Sequence, residues 1–187
     1  MLASFPKLKE LEVEETQIDD YSPLALVRGL RSLYVSSLNA NQLRSLSKVK
    51  SLTHLSVTSL DTVDSDAIAL LGELSQLKSL HLEDVRLANL DFLLACTKLT
   101  ELTLKETVVA DISSLAQLAS LRKIELGNSE QIGNLESLAQ STSIQTFTGS
   151  FQQFDALKHQ FRQKVDFSTI NGGMTEEQSE VWHDFLR

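Results

Sequence analysis

The side chains here that could do chemistry are two histidines, one cysteine and several neighbouring acids. His54 and His81 could ligate a metal, with Glu83 as a third donor two residues beyond His81. A tight zinc site asks for four ligands, or for three and a water, so this set is sparse. Cys96 could act as a nucleophile only if it were partly exposed and its thiol activated. The many serines include none in G-x-S-x-G, the turn that presents a hydrolase nucleophile. Gly172-Gly173 lacks the lysine and the spacing of a phosphate-binding loop. Glu14-Glu15 and Asp19-Asp20 are adjacent acids that read as solvated surface charge. Whether any of these groups converge depends on the elements that carry them.

Those elements repeat. L-x-x-L-x-[V/L] occurs as Leu8-Leu11-Val13, Leu30-Leu33-Val35, Leu52-Leu55-Val57, Leu77-Leu80-Leu82, Leu99-Leu102-Leu104 and Leu121-Ile124-Leu126. Ile144-Phe147-Gly149 is a worn seventh copy. Successive copies start 22, 22, 25, 22, 22 and 23 residues apart, a register that chance does not keep. Counting the first Leu as position one, positions eleven, fourteen, seventeen and twenty are also apolar, as in Val109, Ile112, Leu115 and Leu118. The 25-residue unit holds this pattern shifted by three, at Ile68, Leu71 and Leu74, with Asp64 and Ser65 placed to cap a longer helix. Alternating inward leucines predict a short strand, and strands of successive units would pair in parallel about 4.8 Å apart. Apolar residues at every third position predict a 3₁₀ turn or short helix with one buried edge. No unit can bury its own apolar edges, so the core closes only by stacking.

The pattern resembles the leucine-rich-repeat family, in its short 22-residue class with bacterial internalin-type repeats. Thr16-Gln17-Ile18-Asp19-Asp20-Tyr21-Ser22-Pro23-Leu24-Ala25 and residues 107–116 carry the likeness. The resemblance implies an α/β fold: a right-handed solenoid with a parallel concave sheet and short helical or 3₁₀ convex segments. It spans residues 1–157, about seven units with the first and last incomplete. The family usually has Asn at position nine, where it satisfies backbone groups at the bend. Here that column reads Thr16, Leu38, Leu60, Val85, Thr107 and Ser129, so a looser or water-assisted turn is expected in the three central units where Leu and Val stand, with backbone groups paired differently.

The ends differ. Leu2 and Phe5 fall in register with an earlier unit, so the chain either starts inside a longer protein or uses them as a minimal cap. Phe154, Leu157 and Phe161 predict one amphipathic helix, residues 165–170 an edge strand, and Asn171-Gly172-Gly173 a turn. Thr175-x-x-Gln178 is a capping box, followed by a helix with Val181, Trp182, Phe185 and Leu186 on its apolar face. Residues 158–187 are thus a C-terminal helical cap or the start of a further domain.

In this architecture Cys96, at position twenty, is a small core residue rather than a nucleophile, and the chain reads as no enzyme and without a cofactor. His54 and His81 belong to adjacent strands but different rows, about 7–8 Å apart diagonally. Function falls to the outward strand positions, where Glu10, Glu12, Tyr34, His54, His81 and Glu83 form the candidate contact patch. Tyr34 suits an anchor because it offers a large area at low entropic cost. The expected partner is another protein.

A net charge of −8 disfavours both nucleic acid and anionic membrane surfaces. No apolar stretch approaches the ~20 residues of a membrane span. The single cysteine and the lack of a signal peptide predict a cytoplasmic protein if the chain is complete, and leave its location open if it is part of an exported one. Three roles stay open: a protein-recognition scaffold, an acidic inhibitor or immunity-type protein that blocks a basic partner, and an architectural spacer. Oligomeric state stays open as well.

Overall fold

Five coils start at a position-one leucine that seals the floor: Leu30, Leu52, Leu77, Leu99 and Leu121 are fully buried. The computed structural model describes residues 7–13, 16, 18–60, 65–129 and 131–187. Leu2 and Phe5, Glu14 and Glu15, and the capping expected of Asp64 and of the Ser65 side chain lie outside the described residues.

Among the described residues, the main sheet joins β1 (Glu10–Val13), β2 (Ser32–Leu38), β3 (His54–Leu60), β4 (Ser79–Glu83), β6 (Glu101–Lys105), β8 (Lys123–Gly127) and β9 (Thr146–Thr148). Every pairing is parallel. Their inward residues stack in register as Leu11, Leu33, Leu55, Leu80, Leu102, Ile124 and Phe147. From Leu33 onward none of these is more than 2% exposed. Full burial of one such side chain is worth roughly 1.5–3 kcal/mol, so this column and its partners on the return side supply the driving force.

The return segments are 3₁₀ turns in most units, including Ser22–Leu26, Asp91–Ala95, Ser113–Gln117 and Leu135–Gln140. Two units use α-helix instead: α1 (Ala40–Leu46) and α2 (Ser65–Ala69), the latter running into a 3₁₀ turn at Leu70–Glu73. Asn39 starts α1 with a capping box, accepting from the Asn41 and Gln42 amides while Gln42 Oε1 accepts from the Asn39 amide.

At position nine the backbone groups are paired differently, as expected, but without a looser turn at Leu38 and Leu60, and the units divide into two kinds. β2 and β3 do not loosen at Leu38 and Leu60; they run straight through them, and the pairs Ser37–Ser59 and Leu38–Leu60 continue the ladder. Backbone groups that a side chain would otherwise have to satisfy are paired with the neighbouring strand. In the next three units the chain turns at position eight, where Asp84, Glu106 and Asn128 adopt left-handed backbone with φ of 47°, 52° and 52°. Asp and Asn tolerate that conformation better than most residues. The turn directs the chain into β5 (Arg86–Asn89) and β7 (Val108–Asp111), a second, two-stranded sheet that the sequence pattern did not suggest.

Thr107 and Ser129 do bridge the turns. The Ser129 hydroxyl accepts from the Thr107 amide at 2.9 Å and donates to Leu104 O at 3.1 Å. Thr107 Oγ1 lies 2.8 Å from Lys105 O, and Gln153 Nε2 donates to Ser129 O at 2.7 Å. Because these atoms are buried, Ser129→Ala leaves the Thr107 amide without an acceptor. A loss of about 1–3 kcal/mol is expected in urea denaturation, and a change near zero would show that the bond is dispensable.

The C-terminal residues pack on the last coil. α3 (Phe151–Leu157) is shorter than expected, with Phe161 beyond its end. Residues 165–170 make only isolated bridges, Thr146–Asp166 and Gly149–Ile170, rather than a full strand. Asn171 to Gly173 turn the chain, with Gly172 at φ 82°. α4 (Glu176–Leu186) opens with the expected Thr175–Gln178 capping box. Its Trp182 Nε1 donates to Phe167 O at 2.9 Å, and Phe185 meets Phe154 and Phe167 with ring centroids 5.2 and 5.8 Å apart.

Candidate functional site

The outward strand residues form three rows across the main sheet. One row aligns Glu10, Ser32, His54, Ser79, Glu101, Lys123 and Thr146; the next aligns Glu12, Tyr34, Ser56, His81, Thr103, Glu125 and Thr148; the third aligns Glu83, Lys105 and Gly127. The alternation of the strand sends these side chains toward water because their neighbours are drawn into the core, except for Thr148 on the last strand, which is buried. Glu10, Glu12, Tyr34 and His54 are exposed, and His81 and Glu83 are half-buried. All six candidate residues therefore share one face, but they do not form one cluster.

Two halves differ electrostatically. Toward β6, Glu83 Oε1 accepts from Lys105 Nζ at 2.6 Å, and His81 Nε2 stands 3.4 Å from Glu83 Oε2. The Lys105 ammonium holds the Glu83 carboxyl below the usual carboxylate range, and Glu83 in turn raises Lys105. Glu83 is therefore already satisfied within the chain. Toward β1, none of the described residues makes an ion pair with Glu10 or Glu12. Between Glu12 and Tyr34 lies a hollow of about 110 Å³, lined also by Val35, Ser36, Ser56 and Thr58. Tyr34, 39% exposed, is the one large aromatic among the described residues of these rows.

His54 and His81 sit on adjacent strands, two positions out of register, since His54 faces Ser79 and His81 faces Ser56. His54 Nδ1 contacts Thr53 Oγ1 at 2.9 Å, while His81 turns to Glu83. Among the described residues no three His, Cys, Asp or Glu side chains gather as a metal site would require. Cys96 is 1% exposed, its Sγ facing the carbonyls of Leu71, Gly72 and Leu74, and burial pushes its thiol up to about 11. A thiol so protonated and enclosed is inert.

Larger concavities lie away from this face. One of about 650 Å³ opens between α4 and residues 158–167 over Phe161, Phe167 and Phe185. The cations Lys158 and Arg187 at its rim are paired with Asp155 and Asp184. Another of about 520 Å³ lies between α2 and β5. No helix among the described residues is long and apolar enough to cross a membrane.

The signal for the Glu83–Lys105 pair was present in the sequence, because the two occupy the same position of consecutive units with opposite charge. The hollow was not legible there, since it depends on how far Tyr34 stands above its short neighbours.

No family model and no curated protein matches the sequence. Solved structures do match. An internalin of Listeria monocytogenes superposes with a TM-score of 0.61 at 17% identity, covering 93% of this chain and 64% of its own. A second internalin of that organism, internalin C2, gives 0.51 at 28% identity over 67% of this chain and 54% of its own. The leucine-rich-repeat ectodomain of the Arabidopsis receptor kinase HAESA, solved with a peptide hormone ligand, gives 0.55 at 24% identity over 78% of this chain and 27% of its own. The chain thus spans less than two thirds of each of these structures.

Proposed function

We propose that this chain, a leucine-rich-repeat solenoid with internalin-type repeats, is a protein-recognition scaffold that binds through the polar face of its main sheet and catalyses no reaction. The observation that carries the reading is the contrast on that face: exposed Tyr34 beside Glu10 and Glu12, carboxylates that no described residue neutralises. A fixed sheet presents such groups without a backbone-ordering cost on binding. The peptide held by the plant ectodomain supports recognition of polypeptide by this fold. Residues 1–157 serve as the array and residues 158–187 as its C-terminal cap, a reading supported by Trp182 and Phe185 seated against Phe167.

The test compares partner capture by the immobilised protein with that of a variant combining Tyr34→Ala and Glu12→Lys. Loss of the captured protein in the variant is the expected result. Undiminished capture would move the contact off this face. The net charge of −8 favours a second reading, in which the chain blocks a basic surface. Capture that weakens steeply with salt supports it, and salt-independent capture counts against it, because such attraction is screened within about 10 Å at ~0.1 M salt.

A further inference from the structure

The structure assigns the hollow between Glu12 and Tyr34 to one arginine side chain of a bound protein, its guanidinium lying on the Tyr34 ring and paired with the Glu12 carboxylate. This rests on the sheet face being the recognition surface and adds the chemistry of what is recognised there. Register places Glu12 directly opposite Tyr34, and both point to the same side of the sheet. Parallel strands run about 4.8 Å apart, so carboxylate and ring are immediate neighbours. Beyond the ring the floor is made of short side chains, Ser56 and Thr58, whose hydroxyls have no hydrogen-bond partner among the described residues. A planar cation meets all three features. Its paired N–H groups match a carboxylate, its face stacks on an aromatic ring, and its remaining donors find hydroxyl acceptors.

Lysine satisfies only part of this set. Its ammonium is a compact, strongly hydrated point charge with no plane to lay on the ring. A metal ion would find one carboxylate where it needs several donors. The other end of the face shows the same demand met internally, for Glu83 is held by Lys105. Glu12 has no such cation among the described residues, so a cation supplied in trans completes it.

The two tyrosines make the test direct, because Tyr21 is 3% exposed and serves as an internal reference for Tyr34. Protein labelled with ¹³C in its tyrosine rings is titrated with a capped Gly-Arg-Gly peptide, and with peptides carrying lysine or citrulline in place of arginine. A saturable shift confined to Tyr34 is expected with arginine, weaker with lysine and absent with the neutral, isosteric citrulline. Glu12→Gln, an exposed and near-isosteric change, should weaken arginine binding about tenfold, in line with loss of a charged hydrogen bond. Equal shifts with citrulline, shifts of both tyrosines alike, or none at low-millimolar arginine peptide each overturn the assignment. If partner capture still depends on Tyr34 and Glu12 while the arginine peptide does nothing, the binding face stands and the arginine seat falls. If neither responds, both readings fall.

Discussion

Leu102→Ala lowers the unfolding free energy by about 2–5 kcal/mol, measured as a shift of the urea midpoint at unchanged slope. Leu102 is wholly buried in the fifth unit, between Leu80 of the coil before and Ile124 of the coil after. Truncation removes favourable transfer of its methyl groups and leaves a void that rigid neighbours close only in part. The damage does not stay in one coil, since each unit is held by the two it touches. Ser56→Ala, two strands away on the watered side, should change stability by no more than about 0.5 kcal/mol. Equal effects of the two substitutions would contradict the division of the strands into an inner and an outer row.

Phe154→Ala is expected to cost about 3–5 kcal/mol and to loosen the C-terminal end. Its ring is fully buried in α3, with centroids 5.7, 5.6 and 5.2 Å from Phe151, Phe167 and Phe185. Edge and tilted contacts of this kind contribute roughly 0.5–1.5 kcal/mol each beyond burial. Trp182, the single tryptophan of the chain, reports on the same place because its indole donates to Phe167 O. Its emission should move to the red in the variant under native conditions. Removal of residues 171–187 should act in the same direction, with lower stability and greater aggregation if these residues seal the last coil. Unaltered emission and a loss below about 1 kcal/mol would mean that the aromatic cluster is not the seal.

The leucine columns make most of the fold legible in the sequence. A repeat of L-x-x-L-x-[V/L] dictates both the period and the inward face, and β1 to β9 of the main sheet pair in the register that this spacing predicts. What lay beyond the pattern is the course of the chain at the bends. Asp84, Glu106 and Asn128 turn through left-handed backbone, and a second sheet follows, whereas Ser37 and Ser59 stay extended. The four residue types do not by themselves announce which course the chain takes; the neighbouring coil settles it by offering or withholding a strand to pair with. The outer rows were legible as rows. Which carboxylate is free depended on side-chain reach across coils, as between Lys105 and Glu83, and periodicity does not encode that.

The unbroken register of the main sheet makes it a ruler for whatever lies across it. Its divisions are about 4.8 Å, while an extended polypeptide advances about 3.3 Å per residue, so three ligand residues cover nearly the same length as two strand intervals. Tyr34 and His81 stand two strands apart in the same row. An extended ligand crossing the strands matches both in length at every third residue, but its side chains alternate, so the same face returns to this row only at every sixth, like the two scales of a vernier.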